Sequence, residues 1–146
     1  MGLDPARQPL LRARRRAPHV PLVQGEAEAL PFRDGAFETV VSGLVFCSVP
    51  DPAQGLAELR RVLGPAGVLR MLEHVRSPRR WKARVQDAVQ PCWTRLSGGC
   101  HPNRDTERAV EAAGFRIDPE SRRAKGDMRR FEGRPVPRGA PVPGEL

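Results

Sequence analysis

Phe37-Glu38-Thr39-Val40-Val41 constrains this chain more than any other stretch. Its β-branched and aromatic residues suit a pleated, largely buried strand better than a helix. A shorter apolar run, Val20-Pro21-Leu22-Val23, precedes it and stops at Gln24-Gly25. Between the two lie Glu26, Glu28 and a turn-rich segment, Leu30-Pro31-Phe32-Arg33-Asp34-Gly35. Two buried strands joined in this way fit an α/β sheet, whose chemistry gathers just past the carboxyl ends of its strands. Glu26 and Ser42-Gly43 stand at those two ends.

The flanking segments alternate helix and strand. Gly2-Leu3-Asp4-Pro5 reads as the tail of a strand, with Asp4 placed to cap and Pro5 to open a helix over residues 5–17. The arginines Arg14-Arg15-Arg16 fall on its solvated face. Asp51-Pro52 repeats the cap-and-proline signal, and Leu56, Leu59, Val62 and Leu63 follow at spacings of three and four. Gly64-Pro65-Ala66-Gly67 predicts a turn before a strand over 68–75. Ser77-Pro78 predicts a longer helix in which Trp81, Val85, Ala88, Val89, Trp93 and Leu96 share a core-facing stripe and Pro91 makes a kink. Asn103 is placed to cap a helix over 104–113 that Gly114 ends, before a strand at Phe115–Asp118.

A chain of 146 residues allows one domain, but aromatics make up only 5% and tyrosine is absent, so the core is thin. The net charge is +8, and all but Lys82 and Lys125 of the 25 basic residues are arginine. With a single isoleucine, Ile117, and abundant Ala, Gly and Pro, this bias reads as the imprint of a GC-rich coding sequence. The competing reading is a basic surface for nucleic acid, which lacks an aromatic or helical reading element here. Cys47, Cys92 and Cys100 have no C-x-x-C spacing and are odd in number, so neither a zinc site nor a disulfide framework is expected. No apolar run approaches the roughly 20 residues of a membrane span, and the basic N-terminus has no hydrophobic block after it. The expectation is a cytoplasmic chain with no membrane partner and no metal.

Taken in order, GLDP, VQGEAEALPF, GAFETVVSGLVFCSVPDP and ELRRVLGPAGVLRMLEHV resemble the class I S-adenosylmethionine-dependent methyltransferases. The likeness is to the branch with the ubiquinone and menaquinone C-methyltransferases, and LEHVRSP, GGCHPNRDT and EAAGF resemble its thiol-methyltransferase-like subgroup. The resemblance implies an α/β, Rossmann-like, mostly parallel sheet flanked by helices, with S-adenosylmethionine as cofactor. Asp4, followed by Pro5, corresponds to the acid that binds the ribose hydroxyls, since one carboxylate can accept from both. Glu26 corresponds to the acceptor for the adenine amino group, and the Ala27 backbone N–H faces the ring. Ser42, Gly43 and Leu44 correspond to the segment lying against the cofactor, where small residues permit close approach. His74, at the end of the strand after Glu73, is the candidate catalytic base toward a small-molecule acceptor: a thiol, a phenol or a carbon.

The same resemblance marks departures. The family's first strand and its G-x-G-x-G loop would precede Gly2, and the strand would lie between those ending at Asp4 and Ser42. The sheet is therefore expected to be incomplete there, with cofactor binding weak or absent in the chain as written. Ala66 replaces a family glycine, at a cost on the order of 1 kcal/mol if its φ is positive. From Ala124 onward, four Pro and four Gly in 23 residues with no apolar period predict disorder. The expected division is a partial methyltransferase domain over 1–122 and a disordered tail over 123–146. The alternative is a non-enzymatic basic fragment that binds nucleic acid.

Overall fold

In the computed structural model, which describes residues 1–137, the chain runs β1 (Gly2–Asp4), α1 (Arg7–Arg16), β2 (Leu22–Gln24), β3 (Phe37–Gly43), α2 (Pro52–Val62) and β4 (Leu63–His74). It continues through α3 (Arg80–Leu96), α4 (Thr106–Ala112), β5 (Phe115–Ile117), β6 (Arg123–Lys125) and β7 (Met128–Pro135). Local chemistry accounts for the better-formed elements. The Asp51 carboxylate accepts the Gln54 N–H at 3.0 Å, satisfying one of the free donors at the start of α2. The cap of α4 is Asp105, which accepts the Arg108 N–H, and not the expected Asn103. Gly114 then takes a φ of 84°, a left-handed turn that releases the chain into β5.

Two sheets result. β1 and β2 pair in parallel, with Asp4 opposite Gln24. The larger sheet has the order β3-β4-β7-β5, with β6 also on β7. Its β3–β4 pair is parallel, whereas β4–β7, β5–β7 and β6–β7 are antiparallel. The arrangement is α/β and Rossmann-like, but the expected mostly parallel sheet is not what forms: the larger sheet is mostly antiparallel. The cause is β7. It occupies the segment read as a disordered tail and inserts between β4 and β5, pairing Leu69 with Gly133 and Ile117 with the same glycine. Residues 123–135 are thus ordered strand and turn; the remainder of the expected tail, from 138, lies outside the described residues.

The core lies on one face of this sheet. Leu69, Met71 and Phe131 from β4 and β7 meet Leu56, Leu59 and Val110 from α2 and α4, with Phe46, Phe115 and Ile117 closing the cluster. Leu56, Leu69, Val110, Phe115 and Phe131 are completely buried. Helix α3 departs from expectation. Its stripe of Trp81, Val85, Val89, Trp93 and Leu96 is exposed, and Ala83 is its only buried residue. The helix runs on through Pro91 and is tied down by polar contacts instead, such as Gln86 Oε1 accepting from Ser77 N at 2.8 Å. Ala66 does not have positive φ, so the suspected strain there is absent.

Candidate functional site

Parallel pairing sets the ends of β1 and β2 side by side. The Gly25 N–H donates to the Asp4 carbonyl at 3.3 Å, and the Gln24 side-chain amide donates to the Pro5 carbonyl at 3.0 Å. Asp4, Pro5 and the turn that begins at Glu26 therefore share one carboxyl edge. Asp4 Oδ1 accepts from Ala6 N at 2.8 Å, which fixes the carboxylate at the mouth of α1. The Glu26 carbonyl accepts from Ala29 N at 3.3 Å, turning the chain back across the end of β2.

The end of β3 is held from the neighbouring strand. Glu73, fully buried, accepts through one oxygen from both Ser42 Oγ and Val45 N, each at 3.0 Å. Its other oxygen, Oε2, is buried with no partner among the described residues. Leu44, inside this clamp, has φ 58°, the only positive φ at a non-glycine residue among the described residues. Strain of this kind persists only where surrounding contacts enforce it, and it is enriched at binding sites. Here Leu44 N also donates to Leu72 O at 2.8 Å.

Between these two edges opens a cleft of about 480 Å³, within the range of small-molecule sites. Asp4, Ala27, Ser42 and Gly43 line it together with apolar groups that include Leu3, Leu30, Val40 and Leu59. Nothing lies within 4 Å of where a Cβ on Gly43 would stand, so a ligand can approach the backbone closely. Pro5, Glu26 and Leu44 flank the cleft without forming its wall. The facing edges of β1 and β3 have no strand partner among the described residues, and both contribute to the cleft.

The far wall depends on Arg61, which the sequence analysis did not single out. Its guanidinium donates to the carbonyls of Leu30 and Phe32 at 2.9 and 2.7 Å and to the Glu58 and Asp34 carboxylates at 2.7 and 2.8 Å. Glu58 in turn accepts from Leu30 N at 2.9 Å. Hydrogen bonding to Arg61 holds the Glu58 carboxyl below the usual range, against the opposing effect of burial. These contacts pin the turn-rich segment over the cleft.

His74 sits elsewhere. Among the described residues, one ring nitrogen of His74 and the sulfurs of Cys47 and Cys100 all lie within 4.8 Å of one another. The expected metal-free reading of the cysteines rested on sequence spacing, and it could not anticipate this meeting of a loop, a strand end and a second loop.

Residues 1–71 match the family model described as a methyltransferase domain. A thiol S-methyltransferase of Homo sapiens is 42% identical over 83 residues, covering 56% of this chain and 34% of that protein. A demethylmenaquinone methyltransferase of Chlorobaculum tepidum is 36% identical over 72 residues, 49% of this chain and 30% of that protein. The matches thus span about a third of the length of these curated relatives. Among solved structures, an S-adenosylmethionine-dependent methyltransferase of Thermotoga maritima, described as a possible histamine N-methyltransferase, superposes with a TM-score of 0.72 at 19% identity. That superposition covers 92% of this chain and 72% of the other. One from Methanosarcina mazei gives 0.71 at 18%, covering 92% and 81%. The matched sequence is thus similar to methyltransferase domains, the thiol and menaquinone enzymes among them, and the fold is similar to that of S-adenosylmethionine-dependent methyltransferases.

Proposed function

We propose that the cleft between the ends of β1, β2 and β3 binds S-adenosylmethionine and presents its methyl group to a small thiol. The observation that carries this reading is that Asp4, Ala27, Ser42 and Gly43, from three separate strand ends, line one cavity of suitable size. The residues fit the cofactor. Asp4, oriented by the Ala6 N–H, takes the ribose hydroxyls, and Glu26 takes the adenine amino group while the Ala27 N–H faces the ring. Ser42 and Gly43 lie against the cofactor, held in place by Glu73, and Leu44 flanks them. When bound, the sulfonium supplies an already activated methyl group. The protein then contributes alignment and exclusion of water. Support for a thiol acceptor comes from the relatives of 40–42% identity named as thiol S-methyltransferases. Among the described residues the facing edges of β1 and β3 have no strand partner, which leaves part of the cleft without backbone donors from a neighbouring strand, so weak affinity is expected.

Calorimetric titration with S-adenosylhomocysteine, extended into the millimolar range, tests the site. Asp4→Asn removes a charge-assisted acceptor worth about 1.5–3 kcal/mol, a loss of about 10–100-fold in affinity. Binding that Asp4→Asn and Glu26→Gln both leave unchanged would place the nucleotide elsewhere. A methyl-transfer assay with a small thiol and a quinol, read by mass spectrometry, then separates a sulfur acceptor from a carbon one.

A further inference from the structure

Three segments distant in sequence are locked together beside the end of β4. Cys47 lies in the loop after β3, where its carbonyl accepts the His101 N–H at 2.6 Å. The carbonyls on either side, of Phe46 and Val49, accept from Arg104 Nη1 at 2.7 Å each. The Cys100 carbonyl accepts from Thr94 Oγ1 at 3.1 Å. His74 is the last residue of β4, held in register opposite Met128. Each backbone is fixed by bonds that do not involve the side chains in question. Cys47 and Cys100 are buried, and His74 is partly so. His101, next to Cys100, has a buried Nδ1 with no partner among the described residues.

We propose that Cys47, His74 and Cys100 bind a thiophilic divalent cation, zinc in the first instance. The geometry carries the assignment: two sulfurs and one imidazole nitrogen, all within 4.8 Å of one another, approach the spacing of adjacent ligands around a tetrahedral ion. No carboxylate belongs to the cluster, so the donor set selects zinc over magnesium or calcium. Three protein ligands leave a fourth position for water or an exogenous thiol, the pattern of an open zinc site. With both cysteines as thiolates, the ion replaces two thiol protons, which leave to solvent. Because those two protons must leave, metal affinity should fall as pH is lowered. The inference gives His74 the role of ligand in place of general base, and it stands independently of where the cofactor binds.

The test uses the full chain, reduced and stripped of metal, titrated with Co²⁺ and then with Zn²⁺. The expected result is one equivalent of Co²⁺ per chain, with a thiolate charge-transfer band in the near ultraviolet, strong four-coordinate visible bands, and displacement by Zn²⁺. Cys47→Ser and Cys100→Ser should each abolish or sharply weaken the charge-transfer band. His74→Gln should lower zinc affinity by more than about tenfold, since loss of even an outer-shell partner costs about 10–100-fold. Cys92→Ser, an exposed cysteine outside the cluster, should leave the titration unchanged. Circular dichroism separates loss of ligand from loss of fold. Should a cysteine variant fail to fold, the wild-type titration still decides. Absence of a thiolate band in the wild type overturns the proposal, as does a band that persists in Cys47→Ser. A Cys47–Cys100 disulfide that survives reductant, seen by mass spectrometry, would assign the pair to redox chemistry and overturn it equally.

Discussion

Removing the Glu73 carboxylate is the sharpest probe of how the end of β3 is held. Glu73→Ala deletes the acceptor shared by Ser42 Oγ and Val45 N, both at 3.0 Å. A buried donor left unpaired costs about 1–3 kcal/mol. The full range applies to Ser42, which is 5% exposed, while Val45 is 39% exposed and water can reach its amide at the lower end of the range. Side-chain packing at this fully buried position adds to the loss, against which stands relief from burying the unpartnered Oε2. The sum is about 2–4 kcal/mol, which for a urea m-value of about 2 kcal/mol/M lowers the midpoint by about 1–2 M. Glu73→Gln keeps an acceptor oxygen in place and should cost less than half as much. Urea denaturation followed by circular dichroism gives both numbers. Freed of its clamp, Leu44 should relax from positive φ, so Glu73→Ala should also weaken S-adenosylhomocysteine binding by more than the Gln variant does. A Glu73→Ala midpoint within experimental error of wild type, or equal effects of Ala and Gln, would refute the clamp.

Two further outcomes follow from local geometry. Gly114→Ala places a Cβ at φ 84° against the Arg60 guanidinium, so it should cost at least the roughly 1–2 kcal/mol of a left-handed L-residue, read from the same denaturation curves. Asp87, hydrogen-bonded to Arg76 and then to Asn103, titrates at about 2 in the folded protein, below an unfolded value of about 3.9. A depressed folded pKa means its contribution is present above about pH 4 and disappears as pH falls toward about 2. The pair is about two-fifths exposed, so the stability effect is small, and carboxyl chemical shifts should report it better than unfolding does. Arg76→Ala should return Asp87 toward the unfolded value.

The sequence alone determined the elements whose causes are local. Asp51-Pro52 and the leucines at helical spacing specified α2, and the β-branched run from Phe37 specified β3, because capping and periodicity act within a few residues. The strand ends at Asp4 and just before Glu26 were legible for the same reason, since each strand terminates at a recognisable turn; the register that sets Asp4 opposite Gln24 was not. Only the tertiary structure decided the rest. β7 hides its strand character, because only Phe131 and Gly133 are buried while Met128, Glu132, three arginines and Pro135 fill the remaining positions. It is a strand because β4 and β5 supply the ladder on both sides. The apolar stripe of α3 reads as core by period, yet burial depends on an opposing surface that period cannot supply. Cys47, His74 and Cys100 carry no shared spacing at all. Their meeting is a property of strand order and loop anchoring, which no local pattern encodes.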